Sequence, residues 1–271
     1  MIRKVLRNKI FQFFLLTFLF SWILWLPGIL VTYSIIEANP TLISINNVLA
    51  GIGPSLAGIY IILKSERKPG LKELFKRVFK FKLGLYYIPL LLLFPITLVV
   101  AHLINILLFD ASFPSTGLLQ EPYWIPVVFI IFYIFQFSEE LGWRGFALDA
   151  LQKKTNAIYA SIILGSLWAL WHLPMFLTEG FGQHDNHLPF SQFFITLVLL
   201  SIIITWFQNN TKGSLVPAFT IHAFINLSGE VLPLIEKNEN AQGNYNAWII
   251  LNIILLFIII PLVIKKGRNL T

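Results

Sequence analysis

Apolar residues in this chain come in long runs rather than in alternation with polar ones. Eight stretches of 17 or more residues can be drawn, at about Ile10 to Ile36, Leu42 to Leu63, Tyr86 to Phe109, Trp124 to Leu141, Ala157 to Leu177, Phe190 to Phe207, Leu215 to Ile235 and Trp248 to Ile264. Runs of this length with almost no charge are what an α-helix needs to cross the apolar core of a bilayer. A transmembrane barrel would instead show period-2 alternation in short segments, which Leu-Leu-Leu-Leu-Phe at 91–95 does not. The pattern predicts an all-α, polytopic transmembrane bundle of about eight spans. It forms one integral domain over 1–271, with a chemistry-bearing core at about 124–235.

Composition agrees: 56% of residues are hydrophobic and 12% charged, against about 25% charged in soluble domains. The net charge of +7 would suggest nucleic acid, but its distribution argues for topology instead. With the eight spans drawn above, nineteen of the twenty lysines and arginines fall on one side, and only Lys237 falls on the other. The positive-inside rule then places both termini in the cytosol, with membrane lipids rather than nucleic acid as the partner of the basic segments. The first run is far longer than a signal-peptide core, so it reads as a retained helix. Residue usage rich in Ile, Asn and Phe hints at an AT-rich bacterium, hence a multi-pass protein of a bacterial cytoplasmic membrane. There is no cysteine, which excludes disulfides, thiolate ligands and a cysteine nucleophile.

Two loops carry more than turn signals. Between the second and third spans, Leu71, Leu74, Phe75, Val78, Phe79 and Leu83 recur at three- and four-residue spacing beside Lys72, Lys76, Lys80 and Lys82. This predicts an amphipathic helix at about 65–83 lying in the membrane interface. His184, Asp185 and His187 cluster in another loop and read as exposed polar residues.

Ionisable groups inside apolar helices are expensive and therefore rare, yet three spans carry them at helical spacing. The fourth holds Glu139, Glu140 and Arg144; the fifth, Trp168 and His172; the seventh, His222 and Asn226. Glu140 and Arg144 are four apart and share a helix face, so they read as a mutually neutralising, structural pair. Glu139 is rotated about 100° from Glu140 and has no cation within a turn on its own face, making it the candidate general base. His172 alone fits a hydrogen-bonded core residue as well as a catalytic one, and Trp168 reads as packing. Asn226 can donate to a developing oxyanion. Glu230 lies a turn beyond, outside the expected site. Together these groups suit attack of an activated water on a carbonyl, with or without a divalent metal such as zinc held by Glu139, His172 and His222. The absence of Gly-x-Ser-x-Gly and His-Glu-x-x-His leaves serine and site-2-type zinc proteases unsupported. Haem ligation by the two histidines, and a transporter relay, remain rival chemistries; no inverted repeat supports the latter.

The span boundaries create a difficulty. They put Glu139 and His172 near opposite faces of the bilayer. The two meet only if residues 152–161 lie partly outside lipid or the helices tilt, which places the site in the cytosolic half, open to that side.

The three motifs resemble those of the CAAX-protease and bacteriocin-processing (CPBP, or Abi) family: Glu-Glu-x-x-x-Arg, Phe-x-x-x-His and His-x-x-x-Asn. Here Trp168 stands where phenylalanine is usual, and the resemblance covers about Phe135 to Ser228. It implies an eight-helix intramembrane endopeptidase similar to the Ras-converting CAAX endopeptidase, acting on a peptide or protein substrate that is lipidated in the eukaryotic case. By that resemblance, Glu139 and His172 would activate water, His222 and Asn226 would stabilise the oxyanion, and Glu140 and Arg144 would support the site. A non-proteolytic role, in bacteriocin self-immunity or as a membrane scaffold, is the alternative within the same family.

Overall fold

The computed structural model describes residues 8–114, 116–237 and 243–271. Arg3, Lys4 and Arg7, counted in the charge distribution above, lie outside the described residues, as does part of the loop between Glu236 and Ala247. The chain is helical almost throughout. The principal helices are α1 (Lys9–Thr32), α2 (Pro40–Gly51), α3 (Gly53–Val78), α4 (Tyr87–Phe109), α5 (Pro122–Gln152), α6 (Ala157–Trp171), α7 (Phe190–Asn210), α8 (Val216–Val231) and α9 (Asn246–Lys266). Glu236–Lys237 and Gly243–Asn244 pair as a short antiparallel ribbon between α8 and α9.

Among the described residues, five helices (α1, α4, α5, α7 and α9) are long and apolar enough to cross a membrane; counting α2 and α3 as one bent span makes six. The second predicted span is thus two helices, meeting at 45°. The break falls at Gly51-Ile52-Gly53-Pro54, where Pro54 can start a helix but cannot continue one. Helix starts follow the sequence elsewhere: the Asn39 side chain accepts from Leu42 N at 3.0 Å and that of Asn156 from Tyr159 N at 3.1 Å, as N-caps do.

The basic segments gather at one end of the bundle. Lys154 Nζ reaches Asn8 Oδ1 at 3.2 Å, Lys80 Nζ reaches Lys212 O at 2.8 Å, and Ile158 N donates to Arg268 O at 3.2 Å. The intervening loops meet at the other end, where Glu179 N donates to Thr32 Oγ1, Thr116 Oγ1 to Val231 O, and Tyr245 Oη to His187 O.

The predicted amphipathic helix is present as the last part of α3, set off by a non-helical Arg67 (φ 56°, ψ −152°) just before Pro69. Leu74, Val78 and Leu83 are buried, whereas Phe75, Phe79 and Phe81 are exposed. Arg77 anchors it inward, donating to Gly213 O at 2.7 Å, Gly145 O at 3.3 Å and Asp149 Oδ2 at 2.5 Å.

Close packing around the fourth predicted span depends on glycine. A Cβ built on Gly142 would run into the Pro54 carbonyl and lie 2.9 Å from Ser55 N, so α5 crosses α3 backbone to backbone. Gly165 does the same for α6 on α7, its Cβ falling 2.8 Å from Val198 Cα. Small residues are how membrane helices approach this closely.

Candidate active site

Two boundaries differ from those expected, and the differences bring the site together. α5 does not end near Leu141; it runs to Gln152 through a π-helical turn at Trp143–Ala147. Such turns widen the helix and are frequent at functional sites. The carbonyls of the turn are capped from outside: Arg144 O by Gln208 Nε2 at 3.1 Å and Gly145 O by Arg77. The fifth helix is shorter than expected. α6 stops at Trp171, with His172 as its C-cap and a 3₁₀ turn over Leu173–Phe176 that Pro174 begins. Glu139 therefore lies thirteen residues, about 20 Å, before the Gln152 end of its helix, and His172 about as far from the Asn156 end of its own. The two sit at one level, and the expected conflict of depth does not arise.

Glu140 and Arg144 are both fully buried, Arg144 Nη1 donating to Glu140 Oε1 at 2.8 Å. His222 joins them, its Nδ1 2.8 Å from the same oxygen. A carboxylate accepts, so Nδ1 carries the hydrogen and Nε2 is the atom left for other partners. The pair is thus a triad, with His222 oriented by the carboxylate that Arg144 neutralises.

Glu139 differs from expectation in two respects. It is half-buried rather than buried, and it is not alone: Trp168 Nε1 donates to Glu139 Oε2 at 2.9 Å. The partner is a neutral N–H, so the carboxylate keeps its other oxygen for a reactant. His172 Nδ1 lies 2.8 Å from Trp168 O. A carbonyl can only accept, so the hydrogen is on Nδ1, and Nε2 presents a lone pair when the ring is neutral. The rings of Trp168 and His222 are 5.0 Å apart, those of Trp168 and His172 6.0 Å.

Asn226 stands apart from the buried set. It is exposed, one turn beyond His222 on α8, and lines a cavity of about 590 Å³. The walls are mostly apolar, with Phe94 and Leu98 from α4, Leu197 and Leu200 from α7 and Leu251 from α9. Gln183, Asn186 and Pro233 border it from loops at the end away from the basic segments, and Glu230 lies on its rim. The expected opening toward the basic end is therefore not where this cavity leads. Among the described residues no three His, Asp or Glu side chains gather to hold a metal. The expected Glu139, His172 and His222 set is not among such clusters in the described residues, although His222 meets Glu140 through Nδ1 and so keeps Nε2. His184 instead contacts its neighbour Asp185 at 3.1 Å.

Sequence reasoning missed Trp168 as a partner of Glu139 and the outer support from Arg77, Asp149 and Gln208. Trp168 could have been flagged by its position, four residues before His172 in a span with few other side-chain donors.

Comparison with known proteins supports the motif reading. The family model described as type II CAAX prenyl endopeptidase Rce1-like matches residues 121–228, the stretch holding all three motifs. CAAX prenyl protease 2 of Methanococcus maripaludis is 32% identical over 241 residues, covering 84% of this chain and 86% of that protein. On that similarity over most of its length, with the motif residues clustered as described, the chain belongs to the Rce1-like CAAX prenyl endopeptidase family of multi-pass membrane proteins.

Proposed function

We propose that this protein is an intramembrane endopeptidase that hydrolyses a peptide bond near a lipidated C-terminus with water activated by Glu139 and His172. The carrying observation is the division of labour between adjacent carboxylates. Glu140 is saturated by Arg144 and His222, while Glu139 is held through one oxygen by a neutral donor. Glu139 takes a proton as the water attacks the carbonyl carbon, and His172 Nε2 orients that water. The oxyanion is met by the Asn226 amide and by His222 Nε2, which donates when the ring carries both protons, with the Glu140 carboxylate as its counter-ion. Glu139 then returns the proton to the leaving amine. In this reading Glu139 and His172 activate the water without a metal.

The basic end faces the cytosol in this reading, the helices making eight crossings with both termini inside. The exposed Phe75, Phe79 and Phe81 beside the lysines of α3 suit an anionic membrane surface. The cavity beside Asn226 extends away from that end and is mostly apolar, which favours a bilayer-anchored, prenyl-type C-terminus over a free peptide. No observation favours the immunity or scaffold reading.

The test is cleavage of a prenylated peptide library by the purified protein beside Glu139→Ala. Loss of cleavage in the variant is expected, and equal cleavage by the two would sink the assignment.

A further inference from the structure

Four of the groups assigned above touch a single residue that the mechanism does not use. Trp168 is 2% exposed. Its indole N–H donates to Glu139 Oε2 at 2.9 Å. One ring face lies 4.2 Å from Arg144 Cζ, within cation–π range. Its carbonyl accepts from His172 Nδ1 at 2.8 Å, and its ring stands 5.0 Å from that of His222 at an interplanar angle of 75°. The carbonyl contact depends only on the backbone and would survive any substitution. The N–H contact depends on the indole alone.

We infer that Trp168 is a positioning residue for the catalytic base: its indole N–H holds one oxygen of Glu139 and so aims the other at the attacking water. The chemistry of the donor matters. A half-buried glutamate has three rotatable bonds, and an ion pair would fix it only by neutralising it. Arg144, the arginine beside it, already donates to Glu140 and is held over the ring face rather than at Glu139. An indole N–H donates and cannot accept. It therefore orients the carboxylate without exchanging a proton with it and without adding charge. The stacked guanidinium holds the ring in plane, so the site uses one cation twice, to neutralise Glu140 and to seat the residue that aims Glu139. This inference rests on Glu139 being the base.

The decisive variant is Trp168→Phe, which keeps an aromatic ring for Arg144 and the carbonyl for His172 but removes the N–H. Against a prenylated peptide, kcat is expected to fall between about tenfold and a hundredfold, as for a lost hydrogen bond to a charged group. KM should stay within about twofold, because the cavity beside Asn226 is untouched. Glu139→Gln is measured alongside. Wild-type kcat in Trp168→Phe with an inactive Glu139→Gln overturns the positioning role alone, whereas activity in Glu139→Gln overturns the assignment of the base. A rise in KM in Trp168→Phe, with kcat unchanged, would also overturn the positioning role. Should Trp168→Phe fail to fold, tryptophan-labelled protein carries the test. Of the eight indole N–H resonances, one is expected to move upfield when Glu139→Gln removes the charged acceptor, and eight unmoved resonances refute the contact.

Discussion

Replacing Gly142 by alanine adds one methyl group at the point where α5 crosses α3. That methyl would meet backbone rather than side chain: it runs into the Pro54 carbonyl and lies 2.9 Å from Ser55 N. A carbon–oxygen contact normally rests near 3.3 Å, so the helices must part by something on the order of 1 Å at this level. Neither can yield locally, since Gly58 on α3 already packs against Gly142 Cα and Ser55 Oγ donates to Phe137 O at 2.7 Å. Overpacking of this kind destabilises by about 1–3 kcal/mol. The effect on catalysis should be larger than the effect on folding, because Glu139 and Glu140 lie three and two residues before the displaced position. A 1 Å misplacement of a reacting group lowers rate by about a hundredfold. The assay is paired: thermal unfolding of purified Gly142→Ala, and its kcat on the same prenylated peptide as wild type. A lower midpoint with kcat down at least tenfold is expected. A variant with wild-type kcat would show that the α3–α5 crossing does not set the position of the carboxylates.

Two further outcomes follow from the site. Asn226→Ala should leave stability within about 0.5 kcal/mol, since the side chain is exposed, while kcat falls about 10²- to 10³-fold, as for loss of an oxyanion donor; steady-state kinetics beside a melting curve separate the two. Arg144→Ala should destabilise by about 3–5 kcal/mol, because it strands a fully buried Glu140; an unfolding midpoint equal to wild type would mean that His222 alone suffices as partner.

Helix content and the grouping of motifs were legible because they depend on runs and on i, i+4 spacing. The eight apolar stretches correspond to the observed helical segments, with α2 and α3 sharing one. The ends of α5 and α6 were not legible. Hydropathy falls after Leu141 because Arg144 and Asp149 are charged, yet both are paired, with Glu140 and Arg77 respectively, and the second partner lies 72 residues away. No local pattern reports such a neutralisation, so the helix seemed to stop eleven residues early. Proline at 174 did mark the loosening beyond His172 but not that the helix would already have ended. Glu139 was singled out by the lack of a cation within a turn on its own face. Its actual partner, a tryptophan N–H on another helix, is a tertiary fact. The turn of His222 Nδ1 to Glu140 is likewise a tertiary fact that spacing cannot show.

The helix capped by His172 and the helix carrying Asn226 are both too short to span a full hydrocarbon core. α6 has 15 residues and α8 has 16, about 22 and 24 Å at 1.5 Å per residue, against a hydrocarbon thickness near 30 Å. Such hydrophobic mismatch is relieved by thinning the adjacent bilayer. On the proposed eight-crossing topology, headgroups and the water that accompanies them would be drawn inward around these two helices, toward the scissile bond. The lipid would then be part of the hydrolytic apparatus, bringing the second substrate, water, to a depth it would not otherwise reach, and acyl-chain length would be a variable of the rate.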